Sequence, residues 1–162
     1  MLEALKAAPD FPRKQVLIAK ALNVLREQVT QGYLCDKWHI SPYYTSAHAV
    51  IALAGLDDDF AGQLTQWLLA TQQKNGSWTF FPSYPAAATE ETAYALLALM
   101  YQYKNGHKIP WQQIERGIHF LEGCDSSEKA LPLLWIAKVL YAPYLIVESA
   151  IFAAFAQYQQ LK

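Results

Sequence analysis

Two nine-residue blocks limit what this chain can become. Thr45 to Leu53, TSAHAVIAL, aligns with Glu91 to Leu99, ETAYALLAL, 46 residues further on, with His48 opposite Tyr94. Apolar side chains fill nearly every position from Ala47 to Ala54 and along the body of the second block. A helix built from either one is apolar all round and must be covered on all sides. Repeated helices of this kind belong to arrays in which each unit buries its face against the next, the arrangement of toroids and solenoids.

The helices around these blocks are one-sided. Asp10-Phe11-Pro12 predicts a helix start, with Asp10 as cap, and an amphipathic run to about Thr30 that places Val16, Leu17, Ala21, Val24 and Leu25 on one face. Gly32 ends it, and Tyr33 to Ser41 forms a connection containing Asp36-Lys37-Trp38-His39. Pro42 opens the first inner helix, and a turn at Gly55 to Asp58 leads into an outer helix from about Asp59 to Lys74. An aromatic loop follows, with Phe80, Phe81, Tyr84 and two prolines. Thr89 is expected to cap the second inner helix, whose Glu90 and Glu91 suit the positive helix N-terminus. Asn105-Gly106 closes that helix, and Pro110 opens another one-sided helix, which Gly123 ends. A short helix from Pro132 to Tyr141 and a long apolar one from Tyr144 to about Gln159 complete the reading. The expected fold is all-α: a single domain over residues 1–162, with outer and inner helices alternating.

Composition removes several function classes. The chain is 53% hydrophobic and 14% aromatic but only 17% charged, with a formal net charge of -1 and no basic cluster, so no nucleic-acid partner is expected. Its two cysteines, Cys35 and Cys124, form no CxxC pair, which argues against a zinc site or a disulfide framework and for a reducing, cytoplasmic setting. No metal and no cofactor are expected. The N-terminus lacks the apolar core of a signal peptide, and no apolar run approaches the ~20 residues that span a bilayer. At most, a peripheral membrane contact is expected.

The stretch from Trp67 to Trp78, WLLATQQKNGSW, ends an outer helix at Asn75-Gly76, where the backbone can turn left-handed. Gln72 is expected inside the last turn, its amide offering a donor and an acceptor to the loop or to a neighbouring helix. A second copy begins at Arg116 to Leu121, but it has Asp125 where Gln72 would stand and no following Gly-x-Trp. Trp67-Leu68, Gln72, Gly76 and Trp78 together resemble the repeated glutamine-tryptophan motif of the terpene cyclase and prenyltransferase α/α-toroid family. The blocks DKWHISPYYTSAHAVIAL, TEETAYALLAL and LLWIAKVLYAPYLIVESAI resemble the C-terminal part of its class II, squalene-hopene-cyclase-like members.

The resemblance implies an α/α toroid, about half a ring in this chain, and a polyprenyl substrate of diterpene or triterpene class. Class II chemistry starts with protonation by the central Asp of a DxDD motif, and this chain has none. Its nearest stretch, Leu56-Asp57-Asp58-Asp59, reads as a turn and helix cap. A DDxxD for magnesium-dependent chemistry is also absent, because Ala61 and Gly62 follow. Cationic intermediates need an aromatic wall that keeps water out. The wall candidates are Trp38, His39, Tyr43, Tyr44, His48, Tyr94, Trp135 and Tyr141, with Phe80, Phe81, Tyr84 and Tyr144 as further aromatics. Each is also explained as ordinary core, and His48 as a buried, hydrogen-bonded histidine. Glu148 is expected to pair with Lys138 or with a neighbouring helix.

Half a ring of apolar inner helices leaves apolar edges, so association is expected, either as a homodimer or with a chain that carries DxDD. Two function classes follow. One is a class II terpene cyclase domain or subunit whose acid comes from elsewhere, and which is catalytic only in that assembly. The other is a non-catalytic isoprenoid-binding or scaffold protein.

Overall fold

The computed structural model describes residues 1–83, 87–124 and 133–162. Among the described residues, seven helices and one small hairpin appear in the order α1 (Leu2–Ala7), α2 (Lys14–Glu27), α3 (Pro42–Leu53), α4 (Asp58–Ala70), α5 (Ala87–Lys104), α6 (Trp111–Glu122), β1 (Trp135–Ile136), β2 (Leu140–Tyr141) and α7 (Tyr144–Leu161). The three helices that are apolar all round, α3, α5 and α7, form a row with α5 in the middle. Against this row lie the one-sided helices, α4 on α3 and α5, and α6 on α5 and α7. This alternation of inner and outer helices is an arc of an α/α toroid, as the repeat requires.

Burial follows the periodicity. Val50, Leu53, Leu64, Leu68, Leu96, Leu99, Met100 and Ile114 are fully buried where inner and outer layers meet. Ser41 caps α3 by accepting from Tyr43 N–H, with Pro42 in the first turn. Asp57 caps α4 by accepting from Phe60 N–H and pairs with Arg26, while Asp58 accepts from Gly55 N–H at 2.7 Å. The acidic run at 57–59 therefore serves a cap and a turn.

The segment from Trp67 to Trp78 ties outer helices to inner ones. α4 stops at Ala70, so Gln72 lies just past the helix end rather than inside its last turn. From there Gln72 Nε2 donates to Gly76 O at 3.0 Å and to Gln113 O at 2.8 Å, and Gln72 Oε1 accepts from Arg116 at 2.6 Å. Gly76, at φ +92°, lets the chain press against α6, where a Cβ would stand 2.3 Å from Arg116 O. Trp78 is fully buried; its Nε1–H donates to Leu68 O at 2.6 Å and its N–H to Thr92 Oγ1 at 2.9 Å.

Several expectations are corrected. Asp10 does not cap α2: Lys14 N–H bonds to Phe11 O in a turn, and the helix starts after Arg13, which carries no side-chain cap. Of the face assigned to α2, Ala21 is buried, whereas Val16, Leu17 and Val24 are exposed, and the burial falls on Ile18 instead. α1 precedes the first helix expected from the sequence, and its Lys6 donates to Ala54 O at 2.8 Å, satisfying a carbonyl at the end of α3. Thr89 lies within α5, which begins at Ala87, and so is not its cap.

The helix expected from 132 to 141 is a hairpin, with position 132 itself outside the described residues. Its backbone finds partners in the connection before α3: Ile40 N–H donates to Leu134 O and Ile136 N–H to Trp38 O. Those long-range bonds replace helical ones, and the cross-strand pairs Trp135 with Tyr141 and Ile136 with Leu140 suit the pleat. Glu148 accepts from Tyr144 Oη at 3.0 Å, and no ion pair to Lys138 occurs among the described residues.

Candidate functional site

The aromatic candidates form two groups, with Trp38 and Tyr141 outside both. The turn before α3 sets the first group. Asp36 accepts from Trp38 N–H at 2.6 Å, His39 N–H at 2.9 Å and Thr45 Oγ1 at 2.8 Å, which folds Asp36 to His39 into a tight loop and carries His39 inward. His39 stacks on Tyr44 at 4.6 Å, and Trp135 of the hairpin meets both rings edge-on at 5.1 and 5.0 Å. Tyr94 of α5 stands at right angles to Tyr44 at 5.0 Å, and His48, one turn along α3 from Tyr44, lies 4.6 Å from Tyr44 and 5.5 Å from Tyr94. Five rings from α3, α5, the connection and the hairpin thus form one continuous cluster.

Two carboxylates close its base. Glu90 and Glu91 are fully buried at the start of α5. Glu90 Oε1 accepts from Trp135 Nε1–H at 2.8 Å and faces His39 Nε2 at 3.2 Å. His39 Nδ1 lies 3.1 Å from Ser41 N–H and 3.2 Å from Ser41 O, so Ser41 backbone groups hold one ring nitrogen while Nε2 faces Glu90. Glu90 Oε2 has no hydrogen-bond partner among the described residues. Glu91 accepts from Ser41 Oγ and from Phe80 N–H at 3.1 Å; burial pushes its pKa up to about 7, against the opposing pull of these donors and of His39.

His48 is exposed rather than buried, and corrects the expectation of a satisfied core histidine. It sits where the ring cluster meets an apolar groove of about 530 Å³ between α1, α2 and α3, lined by Leu5, Leu17, Ala21, Val24, Leu25 and Ala49 among others. The groove wall desolvates part of its imidazole and lowers its pKa, while Glu3 and Asp36 pull the other way. Tyr94 is shifted strongly upward by burial and then by Glu90, so it stays a neutral phenol.

Tyr43 belongs to a second group. It packs on Trp67 at 4.8 Å, Tyr33 joins Trp67 at 5.2 Å, and Phe80 and Phe81 continue the chain of rings. Burial raises the Tyr43 pKa to about 12. Trp38 is 57% exposed under Lys37, Tyr141 is 39% exposed on β2, and neither joins the cluster. Tyr144 reaches Glu148 on its own helix. Tyr84 lies outside the described residues.

Sequence reasoning missed Glu90 and Glu91 as parts of the site because helix-end electrostatics already explained them. Two adjacent carboxylates leading directly into an apolar helix were the available signal. No group of three or more metal-ligating side chains occurs among the described residues.

The helical arrangement and about a third of the sequence are shared with known enzymes. A Type B diterpene cyclase of Mycobacterium tuberculosis is 36% identical over 156 residues, which cover 95% of this chain and 30% of that protein. An ent-copalyl diphosphate synthase of a Streptomyces species is 32% identical over 142 residues, 85% of this chain and 27% of the relative. The homologues of this chain are class II diterpene cyclases. The solved ent-copalyl diphosphate synthase from Streptomyces platensis superposes with a TM-score of 0.74 at 31% identity, covering 90% of this chain and 28% of the enzyme. The chain therefore spans less than a third of the length of the cyclases it matches. No family model matches it. No helix among the described residues is long and apolar enough to cross a membrane.

Proposed function

We propose that this chain is the part of a class II diterpene cyclase that forms one wall of the cavity for a polyprenyl diphosphate, with the protonating acid supplied by polypeptide outside these 162 residues. The observation that carries this reading is the continuous cluster of His39, Tyr44, His48, Tyr94 and Trp135, built from four separate segments around the inner helices. Ring faces stabilise positive charge, and a dry wall protects a carbocation from water. Relatives named for copalyl and related diphosphates favour a diphosphate of diterpene size over squalene.

The chain's own carboxyls do not replace the acid. Asp57 and Asp58 serve a cap and a turn, and Glu91 is fully enclosed with two donors on its oxygens. A non-catalytic isoprenoid-binding protein is favoured by the missing DxDD alone. Incubation with geranylgeranyl diphosphate separates the two. Bicyclic product is expected only when a DxDD-bearing cyclase segment is supplied. Product from the chain alone refutes the external acid; ligand binding without product in either arm supports the non-catalytic reading.

A further inference from the structure

Toward the other end of α5 from Glu90, about 18 Å along the helix axis, a second buried polar side chain is left over. Gln102 is 1% exposed, and its Oε1 has no hydrogen-bond partner among the described residues. Buried polar groups are nearly always paired, so this one calls for a donor that the chain does not supply. The amide is not spent on ending the helix. Tyr101 O, Gln102 O and Tyr103 O accept instead from the backbone N–H groups of Asn105, His107 and Gly106. The loop held by these bonds carries His107 and Lys108, which line a cavity of about 170 Å³ together with Gln102 and with Gly62, Thr65 and Gln66 of α4. Among the described residues no acidic side chain lines it, while Lys108 brings a positive charge and His107 a ring N–H. A Cβ at Gly62 would meet nothing within 4 Å, so α4 leaves the space open.

We infer that this cavity binds a small hydroxylated carboxylate, its hydroxyl on the Gln102 amide and its carboxylate against Lys108 and His107. A hydroxyl both donates and accepts, so it satisfies the amide in either of its two orientations; a carboxylate only accepts, and by itself leaves Oε1 unpaired. One lysine matches one negative charge, whereas a phosphate monoester carries close to two at neutral pH. The space admits about six heavy atoms at the ~30 Å³ that a water occupies in the liquid, which is the size of a three-carbon hydroxy acid. The cavity shares no residue with the aromatic cluster, so its fate is separate from that of the cavity wall.

The test titrates the chain with racemic lactate and with propionate, which lacks only the hydroxyl, up to about 50 mM. NMR follows the side-chain amide of Gln102 and the backbone amides of His107, Lys108 and Ile109. Lactate should shift these resonances and bind about five- to ten-fold more tightly than propionate. Gln102→Leu should bring the two ligands within about two-fold by weakening lactate alone. Lys108→Met should weaken both by at least about three-fold and keep the preference. Gly62→Leu fills the cavity from α4 and replaces a helical glycine, so it should abolish the shifts without lowering the melting temperature. Lactate shifts that persist in Gly62→Leu, a preference that survives Gln102→Leu, or an affinity unchanged in Lys108→Met overturns the assignment. An unaltered chain whose loop amides do not respond to lactate also overturns it and leaves Gln102 Oε1 to an ordered water. Gly62→Leu decides the case in which Gln102→Leu does not fold.

Discussion

At the scale of single residues, the buried carboxyls and Trp78 carry the sharpest expectations. The folded-state pKa of Glu91, about 7, lies above its ordinary 4.5, so between those values the folded chain holds a proton that the unfolded chain releases. This contribution to stability is complete below about pH 4.5 and is lost as pH rises through 7. Glu91→Gln, which preserves the acceptor for Ser41 and Phe80, should melt higher than the unaltered chain at pH 8, with a difference of up to about 3 kcal/mol. The gap should close at pH 4.5. Melting curves at the two pH values check it, and a gap independent of pH would assign the effect to packing. Trp78→Ala removes a fully buried ring and its bond to Leu68 O, and should lower stability by about 3–5 kcal/mol in urea unfolding.

At the scale of elements, the connection from α4 to α5 acts as a clamp on α6. Gln72 reaches Gln113 O and Arg116, Gly76 lies against Arg116 O, and on the far side Gly117 leaves room for Trp78 and Leu96, whose atoms would stand 2.8 Å from a Cβ there. Gly76→Ala meets both a left-handed backbone and a carbonyl that cannot yield, so a loss of more than about 2 kcal/mol is expected. Gln72→Ala should cost about 1–3 kcal/mol, because it strips donors from two carbonyls. Denaturant midpoints measure both, and protection of α6 amides from hydrogen exchange should fall in each variant. The hairpin shows how an element can be misread. Trp135, Ile136, Val139 and Leu140 would satisfy a helical pattern, but Leu134 O and Ile136 N–H bond to Ile40 and Trp38, nearly a hundred residues earlier, and Leu140 pairs with Ile136 across the hairpin.

At the scale of the whole molecule, the row of inner helices ends on apolar surface. Leu145, Ile146 and Phe152 of α7 are 75, 46 and 64% exposed, although α7 is apolar all round, and the groove beside α1 and α2 opens at the other end of the row. Patches of this kind mark association surfaces. The expected occupant is the acid-bearing helical polypeptide of the proposed function. Light scattering with and without that segment should show a one-to-one complex, and Leu145→Lys with Phe152→Lys should abolish it without lowering the melting temperature. A mass twice that of the chain, unchanged by the added segment, would identify a homodimer instead.

The sequence by itself determined the helical architecture, the alternation of inner and outer layers and the likeness to class II cyclases. Those depend on local periodicity and on blocks such as TSAHAVIAL and ETAYALLAL, which carry their burial pattern in their letters. Eight aromatic and histidine positions could be named from that pattern, but their grouping could not. Only the tertiary structure decided that His39, Tyr44, His48, Tyr94 and Trp135 meet, that Tyr43 packs elsewhere, and that Trp38 and Tyr141 face solvent. The same holds for Glu90, whose letters suit any helix N-terminus. Its unpartnered oxygen exists because a hairpin Trp and a loop His, 45 and 51 residues away in sequence, both bond to the other one.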